Sequence, residues 1–327
     1  MAGTGSAHLR TGDDIVLRVR DLVVEFPAGK GQVVHAVSGV SVDVAQGETL
    51  GVVGESGCGK TTLGRAVMRL QDARSGSFEF RDHELTGLEG SELARKRRDM
   101  QMIFQDPVSS LNPRRRVRDL VREGLEIWGS QPGPFTDARV EEIMEAVGLG
   151  GEGVGERRPH EFSGGQCQRI CIARALVMDP EVLILDEPVS ALDVSVQAQI
   201  LNLLEDLKAD FGLTMVFVSH DLAVVRNVSD RVMVMYLGKV CEVADTQPLF
   251  DTPAHPYTRA LLASIPGHEL GLSDASTLIS GELPSPIEPP SGCRFRTRCP
   301  LATNRCAVEE PELREVAVGQ FVACHYA

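Results

Sequence analysis

Apolar positions along the 327-residue chain follow two rhythms. Leu17, Val19, Leu22, Val24 and Phe26, and then Val33 to Val44, predict short strands, with a turn at Pro27-Ala28-Gly29. Thr49-Leu50-Gly51-Val52-Val53 is a further β-like run. Leu63, Ala66, Val67 and Leu70 follow it at i, i+3, i+4, i+7, the apolar face of a helix. The same alternation returns downstream. Ile170, Ala173, Leu176 and Val177 make a helix face, and Val182 to Leu185 a buried strand. Val196, Ile200, Leu203, Leu204 and Leu207 make another helix face, and Met215 to Val218 another buried strand. Continuous apolar strands alternating with helices predict a mostly parallel sheet covered on both faces. Val232 to Tyr236 and Val240 to Val243 predict a hairpin around Gly238. Residues 107–160 interrupt the pattern with Pro113, the Pro132-Gly133-Pro134 break and a helical stretch near Val140 to Val147, which suggests a helical insertion. From about Asp251 the texture changes again. Prolines cluster at Pro284, Pro286, Pro289 and Pro290, and four cysteines crowd the last 35 residues, predicting a second, small domain.

Charge removes one class of function. A net charge of −13 and a pI near 5.1 argue against non-specific nucleic-acid binding, which needs a basic face. The basic runs Arg95-Lys96-Arg97-Arg98 and Arg114-Arg115-Arg116 read as solvated surface on that background. No stretch approaches 18 consecutive apolar residues, so no membrane span is expected. Met1 to Asp14 has no apolar core of a secretory signal and is expected to be a disordered leader. The default compartment is then the cytoplasm, where the eight cysteines are thiols or metal ligands before they are disulfides.

The most specific chemistry lies at 54–61, Gly-Glu-Ser-Gly-Cys-Gly-Lys-Thr, which fits the phosphate-binding pattern G-x-x-x-x-G-K-[ST] between a strand and a helix. Gly54, Gly57 and Gly59 let the backbone curl so that its N–H groups face inward, and the helix dipole adds partial positive charge. Lys60 is expected to reach the β/γ-phosphates and the Thr61 hydroxyl to ligate Mg²⁺. Leu183-Ile184-Leu185-Asp186-Glu187-Pro188 is an apolar strand ending in two carboxylates. Asp186 is placed to hold Mg²⁺, usually through water, and Glu187 to polarise an attacking water. Ser163-Gly164-Gly165-Gln166 opens another helix and offers a second phosphate-binding N-terminus with bare N–H groups.

With these motifs in order, residues 15–250 resemble the ATP-binding-cassette (ABC) family. The loop at 54–61 matches Walker A, Gln105 in Ile103-Phe104-Gln105-Asp106-Pro107 the Q-loop, and 163–166 the signature. Residues 182–187 match Walker B, Ser190-Ala191-Leu192-Asp193 the D-loop, and His220 the switch histidine. The resemblance implies an α/β fold: a P-loop NTPase core of ABC type with an antiparallel β subdomain, a helical subdomain at about 107–180, and a small Cys-containing C-terminal domain at 251–327. It implies ATP held by Phe26, stacked on adenine, and by Gly54, Ser56, Gly57, Cys58, Gly59, Lys60, Thr61 and Thr62. Mg²⁺ would lie on Thr61, Gln105 and Asp186. Gln105 would also touch the attacking water and link the site to a transmembrane partner, and His220 would contact the γ-phosphate. Ser163, Gly164, Gly165 and Gln166 would close on ATP bound to the opposite subunit, so that catalysis by Glu187, His220 and Gln105 needs a head-to-tail dimer. Phe162 stands where the family more often has Leu.

His255-Pro256-Tyr257-Thr258, Ala260-Leu261-Leu262, Ser264-Ile265-Pro266 and the run from Gly292-Cys293-Arg294-Phe295 to Cys324-His325 resemble the appendage of oligopeptide/dipeptide importer ATPases. That implies a second ATPase subunit as a heterodimer partner, two membrane permeases, an extracytoplasmic peptide-binding protein, a place at the cytoplasmic face of the membrane, and no nucleic acid. Nickel, glutathione or oligosaccharide uptake is the alternative cargo, and a soluble ABC ATPase acting on nucleic acid the distant alternative. Cys293, Cys299, Cys306 and Cys324 suggest soft-metal ligation, although no C-x-x-C pair supports a zinc ribbon. The resembled subfamily implies a [4Fe–4S] cluster on these four; zinc or unliganded thiols stay open.

Overall fold

The computed structural model describes residues 5–81, 83–129, 133–265 and 281–327. The expected Pro132 break and Pro266 lie outside the described residues. The chain divides into two compact units, one formed by residues 1–88 with 216–327 and the other by 89–215.

The first unit opens on β1 (Ile15–Gly29) and β2 (Gln32–Ala45), an antiparallel pair joined at Lys30-Gly31. Both linking residues have positive φ, 52° and 78°, the conformation of a type I′ hairpin turn. The turn therefore falls later than Pro27-Ala28-Gly29. Pro27 stays in the strand because β4 (Ser75–Phe80) pairs with β1 only as far as Val23. Beyond that point β1 has one neighbour, and an edge tolerates the missing N–H. β5 (His83–Glu84) completes a four-stranded antiparallel sheet in the order β2-β1-β4-β5.

The fully buried β3 (Thr49–Val53) leads to α1 (Lys60–Val67). Leu63, Ala66 and Val67 face the core, whereas Leu70, expected on that face, lies past the helix end and is 49% exposed. Residues 8–14 are not the disordered leader expected. His8 is 2% exposed and hydrogen-bonds the Ser41 carbonyl through Nε2 at 2.8 Å. Arg10 joins Asp43 and Glu48 in an ion-pair group completed by Arg231, whose Nε reaches Glu48 at 2.9 Å and whose Nη2 reaches Asp43 at 2.6 Å. Burial works to raise the Asp43 carboxyl, but Arg231 and Arg10 outweigh it and hold the acid below its ordinary range.

The second unit runs through α2 (Gly90–Asp99), β6 (Met100–Ile103), α3 (Val117–Ile127), α4 (Pro134–Ala146), α5 (Gly164–Leu176), β7 (Val182–Asp186) and α6 (Val194–Phe211). β6 and β7 are parallel, as their continuous apolar character predicts. The helices between them form the expected insertion. Arg174 ties α5 to the Ser110 carbonyl at 2.6 Å, and Arg169 to the Val147 carbonyl at 2.7 Å.

β8 (Thr214–Ser219) returns the chain to the first unit. There α7 (Leu222–Val228) is followed by the hairpin β9 (Arg231–Tyr236) and β10 (Lys239–Asp245). β9 runs parallel to β3. After α8 (Thr246–Asp251) and α9 (Pro256–Ala263), the described tail holds α10 (Asn304–Val308), β11 (Arg314–Ala317) and β12 (Gln320–Val322). β12 pairs with β10, so the tail extends the sheet in the order β11-β12-β10-β9-β3 rather than standing apart. Among the described residues, no helix is long and apolar enough to cross a membrane.

Candidate functional site

The loop at 54–61 has the backbone its glycines predict. Gly54 and Gly59 have φ of 153° and 103°, and a Cβ on either would sit 2.1 Å from a backbone carbonyl, Met235 or Ala36 respectively. Only glycine fits there, because the cost is both conformational and steric. Lys60 is 4% exposed, and its Nζ donates to the carbonyls of Gly54 at 2.7 Å and Glu55 at 3.1 Å, inside the curl. Ser56 and Gly57 are exposed at the tip, and Thr61 and Thr62 are half-buried on the first turn of α1. Cys58 is buried, so what it can offer a phosphate is its backbone; burial also pushes its thiol up. Phe26 lies half-buried on β1. His220 is exposed between β8 and α7, where Asp221 caps the helix by accepting from the N–H groups of Ala223 and Val224.

In the second unit, Asp186 ends β7 at 1% exposure. Glu187 follows in the left-handed region, φ 49°, which a branchless glycine would prefer. Gln105 Nε2 donates to Glu187 Oε2 at 3.0 Å, so this structure joins the Q-loop glutamine to the carboxylate proposed to polarise water. Ser190 N–H and Oγ both donate to the Glu187 carbonyl, at 3.3 and 3.1 Å. Asp193 caps α6 by accepting from Val196 N–H and from the Ser195 hydroxyl. At 163–166 the helix N-terminus is less bare than expected. Ser163 and Gln166 form a reciprocal capping box, Ser163 Oγ accepting from Gln166 N–H at 3.3 Å and Gln166 Oε1 from Ser163 N–H at 3.0 Å. Ser163, Gly164 and Gln166 are nonetheless exposed, while Gly165 is buried. Phe162, just before them, lies under the Arg157 guanidinium at 4.3 Å.

The ABC transporter family pattern matches residues 37–190, and that of the oligopeptide/dipeptide transporter C-terminal region matches 241–306. A putative oligopeptide transport ATP-binding protein of Bacillus subtilis, YkfD, is 51% identical over 95% of both chains. The Escherichia coli oligopeptide transport ATP-binding protein OppF is 47% identical over 92% of this chain and 93% of its own. The chain belongs to the oligopeptide ABC transporter ATPases. Among solved structures, a dimeric ATP-binding cassette, MJ0796, described in a post-hydrolysis state with ADP and Pi, matches 70% of this chain and 98% of its own at 27% identity and a TM-score of 0.64.

The appendage that marks this ATPase family packs on its own phosphate loop. Tyr257 of α9, Tyr236 of β9 and Phe295 of the tail are buried and in mutual ring contact, with centroids 4.7 to 5.3 Å apart; Tyr236 meets both others edge to face, and Tyr257 and Phe295 are tilted. His255 starts α9, its Nδ1 accepting from Tyr257 N–H at 3.0 Å. Complete burial pushes its pKa down to about 3, so the ring is neutral at ordinary pH. The aromatic cluster is not visible in local sequence, because Tyr236, Tyr257 and Phe295 are distant along the chain.

The expected joint ligand set of Cys293, Cys299, Cys306 and Cys324 finds no support in the structure. All four are free thiols, and among the described residues no three His, Cys, Asp or Glu side chains are placed to hold a metal ion. Burial pushes Cys293 up to about 12, and the nearby Cys306, Cys299 and Cys324 add to the rise. Cys306 is buried and hydrogen-bonded through its own carbonyl to Cys293 N–H at 2.8 Å. Phe295, Leu313 and Val322 of the tail are buried within the first unit.

Proposed function

We propose that this chain is one of a pair of ATPases that drive peptide uptake through membrane permeases fed by a substrate-binding protein, and that it works at the cytoplasmic face as a heterodimer with a related ATPase. Membership of the oligopeptide ABC transporter ATPases makes it an ATP hydrolase coupled to transport. The observation that carries the residue roles is the Gln105–Glu187 hydrogen bond beside a buried Asp186 at a strand end.

In this reading the backbone of 54–61 and Lys60 hold the ATP phosphates, with Phe26 against the adenine and His220 near the γ-phosphate. Thr61, Gln105 and Asp186 offer oxygen donors of the hard type that Mg²⁺ selects and would hold the ion, which when bound would supply positive charge to offset that of the phosphates. Glu187 takes the proton of the attacking water, and Gln105 orients it. Residues 163–166 close on nucleotide held by the partner ATPase. Peptide cargo follows the relatives named for oligopeptide transport; nickel, glutathione or oligosaccharide is the alternative cargo. A [4Fe–4S] cluster on Cys293, Cys299, Cys306 and Cys324 is a proposal resting on the crowding of these cysteines and on the resembled subfamily, and no step of the cycle uses it.

The test separates binding from chemistry. Lys60→Ala should lose Mg-ATP affinity. Glu187→Gln should keep it while slowing hydrolysis in the assembled transporter by ~10²–10⁴-fold. Full turnover by Glu187→Gln, or undiminished affinity in Lys60→Ala, would overturn the assignment.

A further inference from the structure

Glu55, the second residue of the phosphate loop, is gripped at three points. Its carboxylate receives both arms of the Arg298 guanidinium, Nη1 to Oε2 at 2.6 Å and Nη2 to Oε1 at 3.0 Å. Its N–H donates to the Tyr257 hydroxyl at 2.9 Å, and its carbonyl accepts from Lys60 Nζ. Two of these three partners belong to the C-terminal appendage. A two-armed arginine–carboxylate pair fixes direction as well as distance, unlike a point charge. Arg298 is itself held. It is 8% exposed, sits 5.8 Å over the Tyr236 ring, shares Nη1 with the Tyr236 hydroxyl at 3.4 Å, and its N–H closes a turn onto the Phe295 carbonyl. The Glu55 side chain, by contrast, is 29% exposed and would swing into water if released.

We propose that Arg298 is a positioning residue for ATP binding: through Glu55, and together with Tyr257, the C-terminal appendage clamps the phosphate loop in the curled conformation that receives phosphate. The inference rests on the reading of 54–61 as the ATP-phosphate site. Loop order that is built in before ATP arrives need not be imposed on binding, so the clamp shows in affinity rather than in the chemical step. Arg298 touches neither phosphate nor water in this scheme.

The experiment measures Mg-ATP affinity of the full chain by equilibrium titration, with amide exchange of residues 54–59 followed in parallel. Arg298→Ala and Glu55→Gln should each weaken ATP binding by ~3–10-fold and speed exchange in the loop, the size expected when one charge-assisted pair is lost at a partly exposed site. Their effects should not add in the double variant, because both remove one contact. Arg298→Lys, which keeps the charge but not the fork, should recover part of the affinity. In the assembled transporter KM for ATP should rise with kcat little changed. Should Arg298→Ala fail to fold, Glu55→Gln decides alone, since it leaves the tail and its core intact. Wild-type affinity and unchanged exchange in Glu55→Gln, with Lys60→Ala still defective, would overturn the clamp and leave the ATP site standing. Loss of the Lys60 effect would instead remove the ATP-site reading beneath it.

Discussion

At the residue scale, two side chains show how the site trades comfort for position. Lys60 is buried inside its own loop, satisfied by two carbonyls. Glu187 stands at φ 49°, where a Cβ crowds the backbone. Strain of this kind costs of order 1–3 kcal/mol and persists at functional positions because the surroundings hold it. Glu187→Gly should therefore raise the unfolding free energy by ~1 kcal/mol while abolishing hydrolysis. Denaturant unfolding of the isolated chain checks the first half, and phosphate release the second. A variant less stable than the parent would show that Glu187 contributes contacts that outweigh its backbone cost. The residue's identity was legible in sequence, as the second carboxylate after an apolar strand; its conformation was not, because positive φ in a non-glycine residue leaves no pattern. Arg298 was illegible for a different reason. Its partner Glu55 is 243 positions away, and one arginine among Arg294, Arg296 and Arg298 in a cysteine-rich tail carries no local signal.

At the element scale, the elements defined by strong local periodicity came out as expected: β3, α1, β7, α6 and the hairpin β9–β10. Those set by tertiary neighbours did not. β1 runs through Pro27 because one side of it is open there, and residues 8–14 are ordered because Asp43 and Glu48 need Arg10. Helix α9 adds a case with a pH signature. His255 caps it with a neutral ring, Nδ1 accepting from Tyr257 N–H, so the ring proton sits on Nε2, directed to the Ala323 backbone. Burial holds the folded pKa near 3 against an ordinary 6.5. Between those values the unfolded chain binds a proton that the folded chain refuses. The contribution is fully present above pH 6.5 and falls as pH drops toward 3, by up to ~1.4 kcal/mol per pH unit. Urea unfolding at pH 7 and pH 5 should show this loss. His255→Asn, which keeps a capping acceptor but cannot titrate, should flatten the slope. An equal slope in the variant would place the acid sensitivity elsewhere.

At the scale of the whole molecule, the motifs for ATP chemistry are divided. The phosphate loop, Phe26 and His220 belong to one compact unit, and Gln105, Asp186, Glu187 and 163–166 to the other. In the exposed capping box at 163–166, Ser163 and Gln166 each spend a hydrogen-bonding group on the other. The proposed role of 163–166 is to close on nucleotide held by another subunit. It leads to an expectation about assembly. The isolated chain at nanomolar concentration should hydrolyse ATP slowly. Turnover per chain should rise with concentration, and rise by ~10-fold or more when the partner ATPase and permeases are present, the scale seen when a set of transition-state donors is completed. Ser163→Ala should remove most of that rise while leaving Mg-ATP affinity of the isolated chain unchanged, because in the proposed scheme the cap closes on the partner's nucleotide and not its own. Phosphate release across a dilution series, with sedimentation fixing the oligomeric state at each point, makes the comparison. A proven monomer turning over as fast as the assembled transporter would contradict a shared site, and loss of ATP affinity in Ser163→Ala would place 163–166 at the chain's own nucleotide instead.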